Sequence, residues 1–225
     1  MLIENDNHYR LRRATMDTKA FFKLSYGLYI ISTENEGKQA GCIANTFNQV
    51  TSSPAQVSVT LNKNNATEQM IEKSGKFAVA VLEQSATMEL IGRFGFHCSR
   101  DLDKFSGLDC GIDEQGLPFV KEHAASRFSC KVVKTVDLGT HVMFIAEVAG
   151  CEVLDNEPVM TYEYYHQVKN GKTPKNAPSY QEEPKKAGGW RCLLCGYVYE
   201  GEILPPDFIC PICSAPASAF EKIEN

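Results

Sequence analysis

Four cysteines near the C-terminal end constrain this chain more than any other feature. Cys192-Leu193-Leu194-Cys195 and Cys210-Pro211-Ile212-Cys213 are two CxxC pairs separated by 14 residues. Each pair can turn two thiolates toward one ion, and two such knuckles close a tetrahedron of sulfur. An all-sulfur tetrahedron suits zinc or iron. Spacing alone favours a structural zinc ribbon, a common use of this pattern. The neighbouring residues argue the other way. Trp190-Arg191 precedes the first knuckle, and Gly196-Tyr197-Val198-Tyr199 follows it. Pro205-Pro206-Asp207-Phe208 leads into the second. These aromatics would form a small core beside the ion.

The segment from Trp190 to Phe220 resembles rubredoxin, in the shortened form found at the end of rubrerythrins. The resemblance implies one iron per site, held by Cys192, Cys195, Cys210 and Cys213 and passing single electrons. It departs at Ser214, which stands where glycine usually follows the last cysteine; hydrogen bonding to sulfur tunes the potential of such sites. Two basic residues (Arg191, Lys222) face five acidic ones (Glu200, Glu202, Asp207, Glu221, Glu224), a net of −3. That acidity could steer a basic redox partner or be plain solvated surface.

Nine cysteines in all, an odd number, argue against a disulfide framework. Cys42, Cys98, Cys110, Cys130 and Cys151 show no pairing pattern and are expected to be buried core residues. Met1 to Arg13 is too polar for a secretory signal. No apolar run approaches the ~18 residues of a membrane span. The expected compartment is therefore reducing cytoplasm. The net charge of −5 leaves no basic patch for nucleic acid.

From about Thr18 to Tyr165 the pattern is β-rich with few helices. Strands are expected over 28–33, 39–50, 56–61, 76–82, 128–136 and 141–153. Asn65-Ala66-Thr67-Glu68 is an N-cap signature for a helix to about Ser74, closed by Gly75. A second helix is expected from about Ser85 to Phe94. Short strands with few helices indicate a mainly β fold, a barrel rather than a doubly wound sheet. His166 to Gly188 is rich in Lys, Pro, Gly, Asn and Glu and reads as a linker. Fully extended it could span ~75 Å, and as a flexible coil about 27 Å. The expected division is a body over 1–165, a linker over 166–188 and a metal domain over 189–225. Within the linker, 171–180 is expected to be partly ordered.

The body has no GxGxxG motif and no P-loop. Its informative stretch runs from Gly41 to Thr67. A strand ends at Leu61 and a capped helix begins near Asn65. Free backbone N–H groups, the Thr67 hydroxyl and the Lys63 ammonium converge there, a setting fit for a phosphate. By spacing alone an ordinary cap is the better explanation.

The whole stretch resembles the flavin reductase-like family, whose fold is an FMN-binding split β-barrel. The matching pieces are a Ser/Thr/Asn-rich strand, Pro54, a strand ending Leu61-Asn62, and a polar turn into a helix. Segments 76–82, 99–105 and 141–148 add to it. The resemblance implies that Asn45, Thr46, Asn48, Gln49, Thr51 and Ser52 line the flavin ring and ribityl chain. It puts Asn62, Lys63, Asn64 and Thr67 on the phosphate, and Lys104 and His141 near the ring. No residue is identified as a covalent catalyst. Each polar residue also has a plain structural reading as an edge, surface or cap group.

Together the two parts resemble the high-molecular-weight rubredoxin family. That implies an oxidoreductase passing electrons from NAD(P)H through FMN to iron, and on to a diiron flavoprotein that reduces oxygen or nitric oxide. It also implies a homodimer with flavin at the subunit interface. Two alternatives stay open. One is a free-flavin or ferric reductase with a modulatory tail. The other is a non-catalytic carrier fed by a separate NADH:rubredoxin oxidoreductase.

Overall fold

The computed structural model describes residues 18–169, 173, 177 and 188–223. A short 3-10 turn, Thr18–Lys23, precedes β1 (Tyr29–Asn35) and β2 (Lys38–Ala44). The two strands are joined by Glu36-Gly37, both with positive φ (53° and 78°), as a tight hairpin with the twist of its strands requires. Next come β3 (Asn48–Ser52), β4 (Ala55–Asn62), α1 (Ala66–Ser74), β5 (Lys76–Leu82) and α2 (Met88–Phe96). The small hairpin β6 (Cys110–Ile112) and β7 (Pro118–Val120) follows. The long strands β8 (Ala124–Asp137) and β9 (His141–Val153) and the helix α3 (Tyr162–Gln167) complete the body.

One seven-stranded antiparallel sheet, in the order β2-β1-β5-β8-β9-β4-β3, curls around the main core. Alternation along β1 and β5 sends side chains to two apolar layers. Ile31, Phe77 and Val79 join Val59, Leu61, Phe144 and Ile71 of α1 on the concave side. Ile30, Ala80 and Leu82 meet Leu90, Ile91 and Phe94 of α2 on the other. This is the mainly β architecture with few helices that the pattern implied.

The expected strand over 39–50 is two strands. The chain breaks at Asn45-Thr46-Phe47 because the Phe47 side chain turns into the core, 5.3 Å from the Tyr29 ring and 5.4 Å from that of Phe128. The chain then leaves β1 and pairs as β3 with β4. α1 is as expected. Asn65 accepts the Thr67 N–H at 2.9 Å, and Gly75 closes the helix at φ 68°. α2 starts three residues later than expected. The Ser85 hydroxyl is spent on the Glu83 carboxylate at 2.7 Å, and Thr87 caps instead, accepting the Leu90 N–H at 3.1 Å. The hairpin β6–β7 and the helix α3 have no counterpart in the expected pattern.

The C-terminal lobe is a three-stranded sheet of β10 (Trp190–Cys192), β11 (Val198–Tyr199) and β12 (Phe220–Lys222), in the order β11-β10-β12. The segment read as a linker lies largely outside the described residues. Its first two residues close α3. Thr173 lies against that helix, its hydroxyl 2.6 Å from the Tyr162 hydroxyl and 3.3 Å from His166 Nε2. Among the described residues, no helix is long and apolar enough to cross a membrane.

Candidate metal centre and flavin site

The sulfurs of Cys192, Cys195, Cys210 and Cys213 all lie within 4.8 Å of one another, and all four residues are buried. Cys192 Sγ and Cys213 Sγ are 3.6 Å apart, and Cys195 Sγ and Cys210 Sγ are 3.5 Å apart. A sulfur tetrahedron with metal–sulfur bonds of about 2.3 Å has edges of roughly 3.8 Å. The four thiols therefore stand close to the spacing a tetrahedral ion needs.

The two knuckles repeat one turn. Gly196 N–H donates to Cys192 O, and Ser214 N–H to Cys210 O, each at 2.9 Å. The residue after each knuckle's last cysteine is left-handed, Gly196 at φ 79° and Ser214 at φ 58°. This reversal brings the Tyr197 amide to the Cys195 sulfur and the Ala215 amide to the Cys213 sulfur. The amides of Ile212 and Cys213 reach Cys210. Amide donors favour the thiolate, the form that binds metal. Cys210, which accepts first of all from Cys195 and Cys213, has its thiol pKa lowered. Hydrogen bonds to Cys210 and Cys213, with burial, keep the proton on Cys195 and raise its pKa.

The aromatics pack as the sequence implied. Phe208 lies 4.8 Å from Tyr199 and 5.4 Å from Phe220, and the indole N–H of Trp190 donates to Glu202 O at 3.3 Å. All nine cysteines are free. Of the five outside this site, Cys42 and Cys130 are buried, as expected. Cys98 and Cys110 are only half-buried, and Cys151 is exposed near the end of β9. The expectation of a core role fails for Cys151 because the last three residues of that strand are exposed among the described residues.

The polar residues of the body gather around one end of β4 and the edge strand beyond it. Asn45 is buried at the end of β2. The Thr46 hydroxyl donates to Thr60 O at 2.7 Å, tying the β2–β3 crossing to β4. Asn48, Gln49, Thr51 and Ser52 lie on the fully exposed edge strand β3. Asn62 stands opposite His141 in the β4–β9 register, and its Oδ1 accepts the Asn64 N–H at 2.9 Å. His141 Nδ1 is 2.8 Å from the Thr140 hydroxyl. Lys63 Nζ pairs with Asp137 Oδ1 at 2.7 Å, and its N–H donates to Thr140 O. The Lys63 ammonium holds Asp137 below the usual carboxylate range. Thr67 is fully buried in the first turn of α1; among the described residues its hydroxyl has no strong hydrogen-bond partner and meets only the Cys42 thiol.

Asp137 and Thr140 escaped the sequence reading. The signal for them was the turn Asp137-Leu138-Gly139-Thr140 between two strands, but only the β4–β9 pairing brings it to Lys63. Lys104 is buried away from the exposed strand. Its ammonium donates to Gly41 O at 2.8 Å and Phe94 O at 3.1 Å, and burial lowers its pKa. Cys42, on β2, has its thiol pKa raised by burial, with the Lys104 charge opposing.

Comparison with known proteins identifies both parts. The family model described as flavin reductase like domain matches residues 21–171, and that described as rubrerythrin, rubredoxin-like domain matches residues 190–221. Among solved structures, the styrene monooxygenase flavin reductase of Pseudomonas putida S12 superposes with a TM-score of 0.53. The identity is 26%, over 61% of this chain and 87% of that one. Flavoredoxin from Methanosarcina acetivorans, at 19% identity and a TM-score of 0.53, shares the fold over 57% of this chain and 69% of its own. Fold and site thus define a flavin reductase-like oxidoreductase that carries a four-cysteine, rubredoxin-type metal site.

Two curated relatives narrow this. The ferric-chelate reductase (NAD(P)H) of Archaeoglobus fulgidus is 47% identical over 74% of this chain and 99% of its own length. The high molecular weight rubredoxin of Moorella thermoacetica is 40% identical over 92% of this chain and 100% of its own. The chain belongs to the high molecular weight rubredoxin family, a flavin reductase-like domain followed by a rubredoxin-like one.

Proposed function

We propose that this protein takes electrons from NAD(P)H at an FMN on the body and passes them to an iron ion in the four-cysteine site. From there they go to a partner reductase such as a diiron flavoprotein that reduces oxygen or nitric oxide. The carrying observation is the union, in one chain, of a flavin reductase-like body and four thiols already gathered within 4.8 Å. The parts are a body over 1–165, a linker over 166–188 and an iron domain over 189–225. The molecule works as a cytoplasmic homodimer.

The residues present fit both groups. The buried Thr67 hydroxyl, with no strong partner among the described residues, and the Lys63 ammonium four residues before it suit a phosphate. Asn62 and Asn64 flank them. Asn45, Thr46, Asn48, Gln49, Thr51 and Ser52 offer amides and hydroxyls along the ring and ribityl chain. His141 stands opposite Asn62, within reach of the same end, and Lys104 backs β2 from behind. When bound, flavin supplies the exchange between a two-electron hydride donor and a one-electron acceptor. The four thiolates stabilise a cation and, with their amide donors, set its potential. The aromatic packing of Trp190, Tyr197, Tyr199 and Phe208 favours iron over zinc.

Mixing with NADH or NADPH under nitrogen tests this reading. Flavin absorbance should bleach first and the ferric colour of the four-cysteine site should follow. A colourless, zinc-loaded protein, or a flavin reduced only when a separate reductase is added, would sink it. The 47% identity to a ferric-chelate reductase supports a second reading, in which the body itself reduces ferric chelates. Cys210→Ser separates the two. Undiminished ferric-chelate turnover without the metal site favours the second.

A further inference from the structure

α2 has a second packed face. Leu90, Ile91 and Phe94 face the body's core. Met88, Gly92 and Phe96, four residues apart, form a stripe on another side. Met88 and Phe96 pack into the apolar cluster built around the four cysteines. Between them the second knuckle comes so close that a Cβ on Gly92 would lie 2.4 Å from Ile212 O. One residue past the helix, His97 Nε2 is 3.2 Å from Cys213 O, a hydrogen bond from imidazole N–H to carbonyl. Glu89, Arg93, His97, Leu102, Cys213 and Ser214 line a cleft along the same seam. Leu193 and Leu194 of the first knuckle remain 60% and 52% exposed.

We propose that α2 is a dedicated dock for the second knuckle, with Gly92 providing the gap, Met88 and Phe96 the flanking contacts and His97 the clamp. A glycine in mid-helix weakens the helix relative to alanine. The three atoms nearest that position, Ile212 O and C and Cys213 Cα, all belong to the second knuckle, although Met88 also touches the body's core. The bare backbone is explained by the carbonyl of Ile212 lying against it. Phe94 O and Gly41 O share the Lys104 ammonium, so the dock is fixed to β2 on its inner side. The lobe is thereby held with its second knuckle toward the body and its first knuckle outward. This inference goes beyond the electron route above and does not depend on it.

Hydrogen exchange on the metal-loaded, full-length protein tests the dock without any electron donor. In Gly92→Val, exchange should quicken about tenfold in segments 88–97 and 209–215. The strands at 29–35 and 76–82 should keep wild-type rates. His97→Ala, which introduces no clash, should quicken the same two segments about fivefold by losing one hydrogen bond. Unchanged exchange in both segments overturns the proposal. So does acceleration spread into the two strands, which would make Gly92 a residue of the body's own core. If Gly92→Val does not fold or load metal, His97→Ala decides alone.

Discussion

Ser214 holds a backbone position that glycine would occupy at lower cost. Its φ of 58° is left-handed, and the matching residue of the first knuckle is Gly196. A non-glycine residue there costs on the order of 1 kcal/mol. Ser214→Gly should stabilise the metal-loaded lobe by about that amount, read as a higher denaturant midpoint for loss of the site's absorbance. Thr67 is a different case. Its buried hydroxyl has no strong partner among the described residues, only the Cys42 thiol beside it, so the protein without flavin gains little from it. Thr67→Val should leave that form as stable or more stable, and should weaken flavin binding about tenfold, as measured by quenching of flavin fluorescence on titration. Equal affinity would remove Thr67 from the phosphate site.

Glu68, next to Thr67, is buried, and one of its oxygens has no hydrogen-bond partner among the described residues. Burial, with the nearby Glu72 adding to it, pushes its carboxyl up to about 7. In the unfolded chain it ionises near the usual 4.5. Between these values the unfolded state has given up the proton and the folded state keeps it. The folded state therefore loses stability as pH rises from about 4.5 to about 7. Glu68→Gln cannot ionise. Its stability advantage over wild type should grow between pH 5 and pH 8 in chemical denaturation. An advantage independent of pH would mean that Glu68 does not titrate there.

At the scale of elements, Lys104 joins β2 to α2. One ammonium satisfies Gly41 O and Phe94 O, while the Ser99 hydroxyl donates to Gly41 O at 3.2 Å and accepts its N–H at 3.1 Å. Lys104→Met keeps the stem and removes the donors, leaving Phe94 O without that bond. It should destabilise the body by about 1–3 kcal/mol, the cost of a buried unsatisfied group. Denaturant unfolding followed by far-ultraviolet circular dichroism checks this. The edge strand β3 contrasts with this buried junction. All five of its residues are exposed, although one side of the strand is bonded to β4. An uncovered edge is a natural place for a second chain to pair, in keeping with the proposed homodimer.

At the scale of the molecule, the lobe and the body depend on different forces. The lobe's three strands are two or three residues long, so its core is small, and the ion supplies much of its folding free energy. Protons compete with metal for the four thiolates. Lowering the pH or adding a strong chelator should release the ion and unfold the lobe, while the seven-stranded sheet persists. Loss of the site's absorbance with little change in far-ultraviolet dichroism is the expected result. Simultaneous collapse of both signals would mean that the body is not stable by itself.

Legibility followed the distance over which the chain must act. The four cysteines were readable because two short turns bring them together within one stretch. The cap of α1 was readable because Asn65 and Gly75 act on their own turns. The break at residues 45–47 was not, because it depends on where Phe47 finds aromatic neighbours on other strands. The exposed Cys151 was not, because nothing local shows whether a layer covers β9.

By itself the sequence determined the sulfur tetrahedron, the aromatic packing beside it, the mainly β body and the polar residues gathered from 45 to 67. Each of these rests on local spacing, on residue type or on a family pattern carried in a continuous stretch. Only the tertiary structure decided that His141 faces Asn62, that Asp137 holds Lys63, that Lys104 is buried between β2 and α2, and that the second knuckle lies on Gly92. Those pairings come from strand register and from close packing between segments far apart in the chain, which no local pattern encodes.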